Sequence, residues 1–118
     1  MSNVFYCGKR ISASGHQPVW KVDENGKLIE RLSPKPSQEL EEHSPNGFNF
    51  GYQGAGPAQL ALAILLDVTK DPTKALKYYQ WFKEDYVVNW KDQWSISEQE
   101  IMDWLVRQKG GVTVFNKN

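Results

Sequence analysis

The chain has 118 residues and balances 14 Lys and Arg against 14 Asp and Glu, a formal charge of zero. No strong field therefore draws it to a polyanion, which argues against nonspecific binding of DNA or RNA. A single cysteine, Cys7, excludes an internal disulfide or a cysteine metal cluster. No basic-then-apolar leader or membrane-length apolar run is present.

The length predicts one domain, residues 1–118, with enough core to stand without metal or disulfide. A reducing cytoplasm is the expected compartment. Five Trp, five Tyr and five Phe are many for such a chain; they supply core, interface or both.

Asn3–Ile11 reads as a first strand through Val4-Phe5-Tyr6-Cys7, with Gly8 as a candidate bulge. After the polar turn Ser12–His16, Gln17–Val22 reads as a second strand. Asp23-Glu24-Asn25-Gly26 is a hairpin signal, and Lys27–Leu32 returns as a third. This antiparallel meander is marginal alone and needs a cover on one face. Pro34 and Pro36 end it, because proline withholds a ladder donor. Gln38–Glu42 suggests one helical turn.

Pro57–Thr69 is apolar nearly all round, as a buried central helix should be. Asp71-Pro72 supplies an N-cap and a first-turn proline. Beyond them Ala75, Leu76, Tyr79, Phe82, Tyr86 and Trp90 recur at helical spacing and predict a long helix to Val88. Ser97 and Glu100 form a capping box for a third helix, with Ile101, Trp104 and Leu105 on one face, ending at Gly110-Gly111. Val112–Phe115 alternates and is β-branched, so it is expected to join the sheet. The predicted fold is thus α+β, a small antiparallel sheet packed against three helices.

One stretch, Ser44-Pro45-Asn46-Gly47-Phe48-Asn49-Phe50-Gly51-Tyr52-Gln53-Gly54-Ala55-Gly56-Pro57-Ala58-Gln59, has the look of a site. Its glycines permit a sharp bend and close backbone approach. Pro57 suits a first helical position, which leaves the N–H groups of Ala58, Gln59 and Leu60 facing the loop at the positive end of the helix dipole. Such an end suits an anion or a backbone carbonyl. The spacing matches neither a phosphate loop nor a dinucleotide fingerprint, and the competing reading is a loop that only turns a corner while Gln59 caps its own helix.

The run Ser44-Pro45-x-Gly47-Phe48-x-Phe50-Gly51-Tyr52-x-Gly54-x-Gly56-Pro57-Ala58-Gln59-Leu60-Ala61-Leu62-Ala63 resembles the signature of an uncharacterised domain family of bacteria, archaea and their viruses. Agreement extends to Tyr6-x-Gly8-x-Arg10, Phe82-Lys83, Val87-Val88 and Trp94. Phe50 stands where that family often has Trp, and Ala55 where it often has Ser, so no hydroxyl is essential there. The resemblance implies no reaction. It implies a setting in phages and mobile elements, where small domains bind and block host components.

The expected function is a non-enzymatic binding protein that blocks a host defence protein or sequesters a small anionic, nucleotide-like ligand. For the ligand, Gly54, Gly56 and Gln59 offer donors, Arg10 or Lys83 offers charge, and Tyr52 stacks on a ring. For a partner, Tyr78 and Trp81 form a second aromatic stripe, and a second copy of the chain is a further candidate. The enzymatic alternative is a hydrolase or transferase in the same pocket with His43 or Glu42 as base, but it lacks a nucleophile. A purely structural or oligomeric module is the remaining one. His16 and His43 are isolated and have no zinc-ligand spacing. Cys7 reads as a small buried hydrophobe, and Arg107 as a solvated surface residue. No cofactor, metal site or membrane contact is expected.

Overall fold

The computed structural model describes residues 3–110. Its elements run β1 (Val4–Lys9), β2 (Val19–Asp23), β3 (Leu28–Arg31), α1 (Lys35–Leu40), α2 (Ala55–Thr69), α3 (Pro72–Asp85), a 3-10 turn (Val87–Asn89), β4 (Gln93–Ser97) and α4 (Glu98–Gly110). The strands form one antiparallel sheet in the order β3-β2-β1-β4, so the fold is α+β.

The meander forms as its turn chemistry directs. The Asp23 carboxylate accepts from the N–H groups of Asn25 and Lys27, at 2.8 and 2.9 Å, and closes the β2–β3 hairpin. Gly8 is not a bulge: it pairs in regular register with Val19 on one side and Trp94 on the other. The irregularity lies instead at Lys21/Val22.

The fourth strand was not expected where it lies. Gln93–Ser97 alternates exposed and buried residues, with Trp94 and Ile96 inward, and passes into α4 with no intervening turn. The expected strand Val112–Phe115 lies outside the described residues.

The core sits between the sheet and α2. Tyr6, Val19, Trp94 and Ile96 are buried on the inner face of the sheet, and every residue of α2 from Gly56 to Leu65 is buried. Each Leu or Ile so placed contributes about 2 kcal/mol relative to exposure. α3 packs along α2, capped by the Asp71 carboxylate on the Lys74 N–H at 3.2 Å. It ends at Asp85, three residues before the expected Val88, where the β-branched pair Val87-Val88 tightens into the 3-10 turn. Trp90 is therefore no helix residue: it stacks on Trp94 with ring centroids 3.8 Å apart. α4 starts as its capping box predicts, with the Ser97 hydroxyl accepting from the Glu100 N–H at 3.0 Å. The Trp104 indole N–H donates to Asp85 at 2.8 Å and ties α4 to the end of α3.

One polar cluster links sheet to helix. Asp67, near the end of α2, accepts from the Tyr6 hydroxyl at 2.5 Å, from Lys21 Nζ at 3.0 Å and from Lys70 Nζ at 3.1 Å.

Candidate functional site

α2 starts at Ala55, two residues ahead of Pro57, with Gly54 as its N-cap. The shift changes which donors are open. The Ala58 N–H bonds Gly54 O within the first turn, and the helix donors without a partner among the described residues are those of Ala55 and Gly56.

Segment 44–54 is held down on both sides. Phe48 O accepts from the Gln17 N–H at 2.9 Å, and the Phe48 N–H donates to His16 Nδ1 at 2.9 Å. Gly47 has φ of +117°, and a Cβ there would lie 2.2 Å from His16 Nδ1, so both its conformation and its contact require glycine. Farther along, the Gly51 N–H donates to Val87 O at 3.0 Å.

Between these walls opens a cleft of about 240 Å³. Gly15 and His16 form one side, the run from Asn46 to Asn49 with Ser44 forms the other, and Tyr52, Ala55 and Gly56 close the end. No charged side chain lines it. Burial, with Arg31 nearby, lowers the His16 pKa below its ordinary value, so the ring is neutral at pH 7. Because Nδ1 accepts from Phe48, the proton resides on Nε2, which makes His16 a donor.

The expected ligand residues divide. Tyr52, 46% exposed, and Gly56 do line the cleft. Gly54 lies beneath the Tyr52 ring, where a Cβ would approach Cε2 to 2.7 Å. Gln59 does not reach the cleft. Fully buried, its Oε1 accepts from the His43 and Ser44 N–H groups at 2.7 and 2.9 Å, while Nε2 donates to Ser37 Oγ at 2.9 Å and Glu41 O at 3.2 Å. It neither faces a ligand nor caps its own helix; it clamps the preceding segment to α2.

Arg10, half-buried, is likewise engaged within the protein. Its guanidinium donates to Asp92 Oδ1, Asn49 Oδ1 and Phe50 O at 2.9, 2.9 and 2.8 Å and lies over the Phe50 ring at 4.6 Å. Lys83 pairs with Glu84 at 3.3 Å on α3 and has a largely buried side chain; it does not line the cleft. Tyr78 is only 7% exposed, which removes it from a free surface stripe, whereas Trp81 is 55% exposed.

For the enzymatic alternative, His43 Nε2 lies 2.6 Å from the Tyr79 hydroxyl, and neither His43 nor Glu42 lines the cleft. Cys7 is half-buried and not the fully buried hydrophobe expected, and burial pushes its thiol pKa up, which favours the protonated form. Among the described residues no group of three His, Cys, Asp or Glu is placed to hold a metal, and no helix is long and apolar enough to cross a membrane.

Sequence reasoning missed Gly15 and His16 as parts of the cleft, and gave no role to Ser44 and Asn49 within the stretch it read as a site. Only a distant pairing brings residues 15–17 to 48–49, and no local pattern signals it.

The chain belongs to a family of unknown function, DUF6166, whose model matches residues 6–107. The match runs from β1 into α4 and takes in every residue of the cleft. No curated protein and no solved structure matches the chain.

Proposed function

We propose that this protein is a non-enzymatic binding protein that sequesters a small anionic ligand in the cleft at the start of α2. One observation carries the reading: Ala55 and Gly56, whose backbone N–H groups at the start of a largely buried 15-residue helix have no partner among the described residues, line a cleft that contains no carboxylate. Helix start and dipole together favour negative charge there. His16 Nε2–H, Ser44 and Asn46 add neutral donors, and Tyr52 offers a ring for stacking. At about 240 Å³ the cleft falls below the roughly 300–1,000 Å³ of drug-sized sites. It suits the phosphate end of a mononucleotide better than a whole dinucleotide.

In the phage or mobile-element setting that the family resemblance implies, removal of a host signal in the host cytoplasm is the corresponding role. A second reading, that the chain covers a host protein, is favoured by exposed Trp81.

The test is native mass spectrometry of the full chain purified from host cells, followed by NMR titration with inorganic phosphate and a nucleoside monophosphate. Ala55→Asp is the informative variant, because Ala55 is exposed and an acid at a helix start favours folding while repelling an anion. Gly56→Asp is not, because a Cβ there would lie 2.6 Å from Asn49 Cβ. The expected result is a shift of the Ala55 and Gly56 amide resonances, lost in a fully folded Ala55→Asp. Absence of any shift, with no copurifying phosphate compound, overturns the reading. Release of an altered product would identify an enzyme instead.

A further inference from the structure

A second concavity, of about 190 Å³, lies between α3 and α4 at the end of α2. Buried Tyr78 and Leu105 form its floor, and exposed Met102 and Val106 form the α4 wall, Val106 being 65% exposed. Trp81, one turn beyond Tyr78, has its ring centroid 5.9 Å from that of Tyr78 and extends the apolar track along α3. Aromatic and Met side chains around a buried floor are the composition of partner-binding surfaces.

Two lysines stand on this flank. Lys74 lines the concavity, and Lys77 Nζ lies 5.4 Å from the Tyr78 ring centroid. Neither lysine pairs with a carboxylate among the described residues. The nearby acids have other tasks: Asp71 caps α3, and Asp103 accepts from Gln99.

We infer that the α3–α4 groove is a docking surface for an amphipathic helix of another protein, one with apolar side chains along one stripe and carboxylates along its flank. Two lysines three residues apart stand one helical turn from each other, which matches acids at i and i+3 or i+4 on an occupant. A concavity flanked by two helices has the shape that a third fills. The acidic run Glu39 to Glu42 of a second copy is a poor occupant, because it starts on the six-residue α1 and includes Leu40, which is already packed against the core. The inference deepens the partner-protein reading, rests on it, and is independent of the cleft.

The experiment is fluorescence anisotropy on the full chain. Its probes are a labelled synthetic helical peptide of about 15 residues, with Leu along one stripe and Glu on the flank, and a counterpart with Lys for Glu. The acidic peptide is expected to bind about tenfold more tightly than the basic one. Lys74→Glu with Lys77→Glu should reverse that order. Val106→Asp, at an exposed site, should weaken the acidic peptide by about tenfold with circular dichroism unchanged. Ala55→Asp should leave peptide binding intact, which separates failure of the groove from failure of the cleft. Equal binding of both peptides, or binding of neither, overturns the inference. So does sedimentation showing a dimer that Val106→Asp converts to monomer, because a second copy then occupies the groove.

Discussion

Gln59 shows how a side chain's task depends on what its far end meets. At the fifth residue of α2, its carboxamide satisfies two N–H groups and two oxygen acceptors, none nearer than 15 residues in sequence. Gln59→Leu keeps roughly the volume but leaves the His43 and Ser44 N–H groups without their acceptor. Loss of about 3 kcal/mol is expected, read as a lower urea midpoint. A midpoint unchanged from the native chain would contradict the clamp. The sequence marked the residue as special through its place beside a glycine-rich bend. It gave no direction for the amide, since a donor and acceptor at a helix start serves a ligand or its own loop equally well. Arg10 was legible in the same incomplete way: its charge was plain, but its partner Asp92 lies 82 residues away.

At the scale of elements, local chemistry placed the hairpin, the Asp71 and Ser97 caps and the apolar helix well, because each signal lies within a few residues of what it controls. β4 was hidden because Ser95-Ile96-Ser97 stands directly before a capping box and read as its approach. What identifies the strand is its neighbour. Gly8 on β1 leaves room for the Trp94 indole, and a Cβ there would lie 2.6 Å from Nε1 and 2.7 Å from Cε2. Trp90, stacked behind, blocks retreat of the indole. Gly8→Ala should therefore cost about 2 kcal/mol and alter the near-ultraviolet circular dichroism of the stacked indoles. A silent substitution would mean that the β1–β4 edge is looser than its register implies.

For the molecule as a whole, the junction of sheet and helix carries a pH dependence. Burial tends to raise the Asp67 pKa, but hydrogen bonds from Tyr6, Lys21 and Lys70, with the Lys21 charge, more than offset it and bring it below the ordinary 3.8. A depressed carboxyl pKa stabilises the fold at pH above the unfolded value, and that contribution disappears as pH falls through the folded one. Asp67→Asn is expected to lower the denaturation midpoint at neutral pH, with the gap to the native chain closing below about pH 4. A gap that is constant with pH would assign the loss to packing alone. Tyr6 and Asp67 lie 61 residues apart; each was readable as a residue type, and their meeting was not. The cleft shares that origin, since its two sides come from chain segments some 30 residues apart, joined by the pairs Phe48–His16 and Asn49–Gly15.

Those same crosslinks bear on how a guest would enter. With Gln17 bonded to Phe48 and Arg10 to both Asn49 and Phe50, the socket is already assembled before anything arrives. Little ordering entropy is left to lose on capture. Uptake should accordingly proceed in a single kinetic phase that is first order in guest, and the already paired amides of Gln17 and Phe48 should exchange with deuterium at nearly the same slow rate whether the socket is empty or full, while those of Ala55 and Gly56 slow only when it is full.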